Sequence, residues 1–399
     1  MLLAWSLTLV LTQTPGHVTL VFGGDVIPHD PVKFVAQMHD RRDERGATLN
    51  NAGWDHVFGP LAPVFKRHDF AVVNLETPVV TLAHPEVGEK VFSAPPTLLD
   101  GLKRAGVTTA TFANNHCLDQ HLEGIGSTRE FLRQVGLGSA GADLNEDAAW
   151  TPLVFERHGV RLGLLAFTRW LNGGNNQKDP ARPHVPVVAY PAVPIVGSHS
   201  VEQVSAQVRE LAQTVDAVLV LVHWGNEYQL TPSPDDRALA QALVDAGALA
   251  VIGTHPHVLQ AVEWLTRPDG TRGLVAFSLG NLVSNQDFDD AAGRKRDSVL
   301  LELSLEKVGR SSARISAVHG VPVATENRLG QGRARNVQPV LLEDELTAID
   351  ERLEALVGHD EAPARAEYEA LTRKRALGVQ RLERIRSVLG PAATDGGSP

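Results

Sequence analysis

Residues 248–257 read Ala-Leu-Ala-Val-Ile-Gly-Thr-His-Pro-His, a run of apolar side chains that stops abruptly at Gly253-Thr254-His255-Pro256-His257. A short continuous apolar run bounded by turn residues predicts a strand buried on both faces. The pattern recurs along the chain. Residues 18–22 end in Gly23-Gly24-Asp25, residues 70–73 in Asn74-Leu75-Glu76, and residues 107–112 in Ala113-Asn114-Asn115-His116. Residues 217–222 end in His223-Trp224-Gly225-Asn226-Glu227, and residues 274–277 in Ser278-Leu279-Gly280-Asn281. Between several of these runs, residues 54–67, 97–105, 118–134, 201–215 and 234–246 carry helical spacing. Strands alternating with helices predict an α/β domain with a largely parallel sheet. Ligands of such sheets bind outside the carboxyl ends of the strands. The six polar clusters are therefore expected to converge on one edge.

Composition narrows the classes of function. The 399 residues are 43% apolar and 21% charged, as in an ordinary globular chain. A net charge of −10 provides no global basic field, which argues against a nucleic-acid partner. One cysteine, Cys117, excludes an internal disulfide framework, whereas 16 histidines supply the commonest metal ligand. Residues 1–11 are almost wholly apolar and lead into Thr12-Gln13-Thr14-Pro15-Gly16. Residues 1–16 thus read as a secretory signal or anchor segment, although no Lys or Arg precedes the run and no A-x-A site follows it. The expected location is extracytoplasmic, secreted or held at the membrane peripherally or by this N-terminal segment. If the segment is an ordinary first strand, the protein is cytoplasmic. Residues 172–194, rich in Asn, Gly and Pro, predict a surface loop near the site. Residues 337–389 repeat Leu and Ile at three- and four-residue steps on either side of a break at 359–364. They predict a charged helical hairpin packed on the domain or on a partner. Residues 390–399 are expected to be a disordered tail.

The residue types at the strand ends define a chemistry. Asp, Glu, Asn and His combine hard oxygens with imidazoles, a donor set suited to divalent Zn, Mn or Fe; the lack of thiolates argues against a closed structural zinc site. Extended backbone puts His255 and His257 on one face, where they address one ion or two neighbouring ions. Asp25 follows two glycines that let backbone approach an ion. Glu76 is a better ligand candidate than Asn74, which fits a loop-holding role. Asn115 can give an amide oxygen to a metal while His116 keeps a proton for a leaving group. Asp119 either orients His116 or caps the following helix.

These motifs, in this order, resemble those of the CapA family: Gly23-Gly24-Asp25-Val26, Asn74-Leu75-Glu76, Ala113-Asn114-Asn115-His116 with Asp119, His223-Trp224-Gly225-Asn226-Glu227-Tyr228, Gly253 to Gln260, and Ser278-Leu279-Gly280-Asn281. Its members are poly-γ-glutamate capsule biosynthesis proteins on the calcineurin-like metallophosphoesterase fold. The resemblance implies a metallophosphoesterase-like β-sandwich flanked by helices over residues 17–325, with the C-terminal hairpin outside it. It implies that Asp25 and His257 bind one divalent ion, and that Asn115, His223 and His255 bind a second. Glu76 would lie near the bridging position, with His116 as proton donor. Ile27 stands where the wider superfamily places a histidine ligand, and His29 and Asp30 are the nearest groups able to replace it. The implied function is a metal-dependent phosphoesterase-type hydrolase in capsule or related envelope-polymer synthesis, acting on an anionic polymer or a phosphoester. The alternative is a non-catalytic assembly subunit that contacts capsule-synthase subunits. Because the chain is acidic, a polyanionic substrate calls for local cations, for which Arg169 is a candidate.

Overall fold

Alternate residues of the central strands face different apolar cores, and that alternation builds two packed sheets. The computed structural model describes residues 16–83, 91–173, 175–286, 292–307, 309, 312–330, 333–359 and 361–394. Among these, one sheet has eight strands: β1 (Gly16–Val26), β2 (Phe70–Leu75), β3 (Thr109–Phe112), β4 (Gly138–Gly141), β11 (Asn281–Val283), β12 (Asp297–Lys307), β13 (Arg314–Gly330) and β14 (Arg333–Leu341). The other has six: β5 (Leu153–Arg157), β6 (Val160–Thr168), β7 (Ala217–His223), β8 (Ala248–Thr254), β9 (Val262–Thr266) and β10 (Arg272–Ala276).

The first sheet runs β14-β13-β12-β1-β2-β3-β4, with β11 beside the end of β1; the second runs β5-β6-β7-β8-β10-β9. Pairing is parallel from β1 to β4 and from β6 through β7 and β8 to β10. The β12–β14 side and the edge strands β5 and β9 are antiparallel. The six apolar runs therefore do not share one sheet. They divide three and three, as β1, β2 and β3 against β7, β8 and β10.

Val18, Leu20 and Phe22 of β1 meet Leu162 and Leu164 of β6 and Leu219 of β7 in the core between the sheets. The opposite face of the first sheet, with Val21, Ala71 and Val73, is covered by helical segments carrying Trp54, Phe58 and Leu98. Val218, Val220 and Val222 face the helices Val201–Ala212 and Pro234–Asp245. Each sheet thus buries both faces, which is why its strands read as unbroken apolar runs. The architecture is a β-sandwich flanked by helices. Several helices follow the expected spans; the segment 54–67 is broken into Trp54–Phe58 and Ala62–Lys66, with Pro60 in the intervening turn.

The C-terminal helices are Leu342–Ala355 and Ala362–Leu389. They pack on the domain itself: Leu342, Ile385 and Leu389 join the core between the sheets. Arg381, buried, donates to Asp297 Oδ1 at 2.7 Å, and Arg384 Nε donates to Asp297 Oδ2 at 2.8 Å. The hairpin begins at Leu342, not Val337, because Val337 is a buried strand residue opposite Asn327. A domain end at 325 would likewise cut through β13. Within the stretch expected to be disordered, Pro391–Thr394 is helical and buries Ala392 and Ala393; residues 395–399 lie outside the described residues. So do residues 1–15 of the expected signal segment, while Gly16 opens β1. Among the described residues no helix is long and apolar enough to cross a membrane.

Candidate metal centre

The carboxyl ends of β1, β2 and β3 meet those of β7 and β8 where the two sheets come together. Two positions there require glycine. A Cβ on Gly24 would lie 1.8 Å from the carbonyl oxygen of Gly280, and one on Gly253 would lie 2.1 Å from that of Phe277. Close backbone approach at these points brings the strand ends together. The histidine turn after β8 departs from the extended backbone expected for it. His255 has φ 96° and His257 has φ 57°, left-handed values that cost free energy and that tertiary structure must impose. One source of that constraint is Asp25, whose Oδ2 accepts from the His255 backbone N–H at 3.1 Å.

Asp25, Glu76, Asn115, His116, His223, His255 and His257 are all buried. Two groups of side chains converge closely enough to hold a metal ion, Asp25–Glu76–His257 and Glu76–His223–His255, and Glu76 belongs to both. Glu76 Oε1 lies 3.6 Å from His223 Nε2 and 3.8 Å from His257 Nε2. Asn115 Oδ1 is 2.8 Å from His223 Nε2, beside the second group. The surrounding hydrogen bonds orient these side chains. Asn281 Oδ1 lies 3.0 Å from His257 Nδ1, leaving Nε2 toward Glu76. Thr254 Oγ1 lies 3.0 Å from His223 Nδ1, and Asn74 Nδ2 donates to Asp25 Oδ1 at 2.7 Å. Such outer contacts fix tautomer and ring angle. Asn74 therefore orients a ligand candidate through its side chain, where the sequence suggested that it holds the loop.

Charge and burial here favour a cation. Burial, reinforced by the charges of Asp25 and Glu227, holds the Glu76 carboxyl well above the usual carboxylate range. Burial also pushes His223 well below the ordinary histidine value and His255 down to about 3, with neighbouring histidines adding to both shifts. Both imidazoles stay neutral at pH 7, the form that ligates metal. Among the described residues, both carboxylate oxygens of Glu76 and Nδ1 of His255 are buried without a hydrogen-bond partner. Buried polar groups left unpaired are costly. Hard oxygens and neutral imidazoles left open toward a common space fit a divalent ion.

His116 stands beside these groups, with Nε2 3.9 Å from Glu76 Oε1. Its Nδ1 is 2.7 Å from Asp119 Oδ2, which also accepts from the Phe92 backbone N–H at 2.6 Å. Asp119 thus orients the imidazole; it does not cap the following helix, whose N-terminal position is Gln120. Phe92 stacks on His116 at 4.1 Å between ring centroids. Ile27 is buried, and its backbone N–H donates to Val283 O at 2.9 Å, so it offers nothing to a metal. His29, half-buried, lies close enough to His257 and His116 for their charges to add to desolvation in bringing it down to about 4. Asp30 is exposed and pairs with Lys33. Arg169 lines no positive pocket: it is buried against Asp236 at 3.1 Å and the Tyr190 ring at 3.7 Å. The sequence reading did not single out Phe92 or Asn172 as site residues. Asn172 opens the loop expected near the site, and its side chain bonds to Asn115.

The family model described as bacterial capsule synthesis protein PGA_cap matches residues 19–286, more than half of the chain. The chain belongs to this family. Among similar proteins, the Bacillus anthracis protein named capsule biosynthesis protein CapA is 32% identical over 65% of this chain. The Bacillus subtilis PGA biosynthesis protein CapA is 30% identical over 67% of it. The matches span 60% and 65% of those relatives' own lengths. Among solved structures, the NAD nucleotidase of Haemophilus influenzae aligns with a TM-score of 0.47 at 10% identity, covering 91% of this chain and 61% of that one. The PGA_cap match takes in every ligand candidate and His116, and ends before β12.

Proposed function

We propose that this protein is a metal-dependent hydrolase of the phosphoesterase type, acting in the synthesis of a capsule or related anionic envelope polymer. One observation carries the reading: two three-residue ligand groups share a buried carboxylate, Glu76, whose oxygens have no hydrogen-bond partner among the described residues, and an oriented imidazole stands beside it. Asp25 and His257 would hold one divalent ion, and His223, His255 and Asn115 a second, with Glu76 between them. Zn, Mn and Fe fit this donor set. A bound divalent ion supplies Lewis acidity to a phosphoryl oxygen and lowers the pKa of water. The chain's own contribution is positional. Asp119 accepts a hydrogen bond from Nδ1–H of His116, which leaves Nε2 as the atom that exchanges a proton with a leaving group. Phe92 covers one face of that ring and limits its contact with water. The family relationship supports capsule or poly-γ-glutamate synthesis as the setting, and the apolar run at residues 1–11 favours an extracytoplasmic site.

The test is turnover of an aryl phosphate ester by protein supplied with Mn or Zn, with His116→Ala beside it. The reading predicts turnover that falls about 10²- to 10⁴-fold in the variant; equal rates would remove His116 as the acid. A second reading, an assembly subunit that binds the polymer without cutting it, is favoured by Ile27, which deprives the site of one ligand position. Capture of synthase subunits that depends on the helices Leu342–Ala355 and Ala362–Leu389, by protein that binds metal without turnover, would select it.

A further inference from the structure

We infer that Asn172, in the loop after β6, is a positioning residue that sets both Asn115 and His116. Its backbone N–H donates to Asn115 O at 3.2 Å, and its side-chain Oδ1 accepts from Asn115 Nδ2 at 3.1 Å. The second bond occupies the amide nitrogen of Asn115 and so aims Asn115 Oδ1 at His223 Nε2, 2.8 Å away. The same side chain presents Nδ2 to His116 Nε2 at 3.3 Å. With Oδ1 committed to Asn115, Nδ2 is the donor and His116 Nε2 the acceptor in the resting, neutral ring, whose proton sits on Nδ1 toward Asp119; Nε2 must gain a proton and leave this bond before it can give one to a leaving group. One exposed amide therefore fixes the flip state of a buried ligand candidate and the tautomer of the neighbouring imidazole.

Closing the loop does not require this side chain. Leu171, Val185, Val187 and Ile195 already pack on Phe112 and Cys117 in a small apolar cluster of their own. Asn176 ties the loop across itself, exchanging two 2.8 Å hydrogen bonds with the backbone of Val185. The loop is thus a supported arm that carries Asn172 to the site. The Asn115 half of the inference rests on ligand geometry alone; the His116 half rests on the hydrolase reading above.

Two variants separate the halves. Asn172→Ala removes both bonds; Asn172→Asp keeps an acceptor for Asn115 Nδ2 and removes the donor facing His116. Affinity for Mn and Zn, measured by competition with a chromophoric chelator, is expected to fall about tenfold in Asn172→Ala and to stay within about threefold of wild type in Asn172→Asp. In both variants kcat on the aryl phosphate is expected to fall about tenfold or more with KM little changed, and the imidazole ¹⁵N resonance of His116 Nε2 to move. Metal affinity in Asn172→Ala within twofold of wild type would overturn the Asn115 half. An unmoved His116 resonance would overturn the other half. If wild type binds metal yet turns over no phosphoester, the hydrolase reading fails, and the metal titration and the resonance still decide the place of Asn172.

Discussion

Replacing Glu76 with Gln should have opposite effects on the metal-free and the metal-loaded protein. Glu76 is the one carboxylate common to both ligand groups, and among the described residues neither of its oxygens has a hydrogen-bond partner. Its folded-state pKa is raised well above the ordinary 4.5, chiefly by burial and then by the Asp25 charge. A raised carboxyl pKa means that the folded state binds the proton more tightly than the unfolded chain does. Metal-free wild type therefore loses stability as pH rises from about 4.5 toward the folded value, and Glu76→Gln does not. In EDTA the variant should melt above wild type, by a margin that widens from pH 5 to pH 8. Metal acts the other way. A divalent ion at a hundred times its Kd stabilises the folded state by about 2.7 kcal/mol. For a protein of this size that is about 3 °C in Tm. Wild type should show such a rise with Mn or Zn by differential scanning calorimetry, and Glu76→Gln should show less than about a fifth of it. The reasoning fails if the variant keeps the full metal-dependent rise, or if its metal-free Tm at pH 8 lies below that of wild type.

Acid should destabilise the metal-free protein through its histidines. His255 falls from 6.5 to about 3 and His29 from 6.5 to about 4 on folding, so their contribution is present above pH 6.5 and lost as pH falls below it. At pH 5 each should cost about 2 kcal/mol, readable by urea unfolding in the Glu76→Gln background, where the opposing carboxyl is gone; equal stability at pH 7 and pH 5 would contradict this. Gly24→Ala puts a methyl carbon 1.8 Å from a backbone oxygen, so the strand ends must part. It should cost at least about 3 kcal/mol in urea midpoint or abolish soluble expression, and a fully stable variant would show that the approach is not tight. Asp297→Ala leaves buried Arg381 without its carboxylate. The expected cost is about 3–5 kcal/mol, with faster amide exchange across Ala362–Leu389; unchanged exchange would mean that the apolar contacts alone hold the hairpin.

Much of the site was legible because its residues follow buried strands, where an apolar run ending in Asp, Glu, Asn or His stands out. Asp25, Glu76, Asn115, His223, His255 and His257 are all of this kind. The division of those strands between two sheets was not legible, since a run such as residues 217–222 carries no record of its neighbour. β12 to β14 were hidden for a different reason. The outer half of β12 alternates buried and half-buried residues, and in β14 Asn336 and Pro339 interrupt what would otherwise read as a strand. Helical spacing beginning at Leu342 also extends backward by chance through Val337, which blurred the boundary. Asn172 and Phe92 escaped because their roles depend on loops folding back on the site. An exposed Asn in an Asn-Gly-rich stretch looks like any turn residue until its partners are known.

The central claim is that Asp25, Glu76, His223, His255 and His257 form a metal centre. Elemental analysis of purified protein, after supplementation with Mn, Zn or Fe and removal of loosely held ions, tests it most directly when wild type is set beside His255→Ala. The account predicts bound divalent metal in wild type and less in the variant. Wild type that holds no metal after supplementation, or a variant that holds as much as wild type, would contradict it.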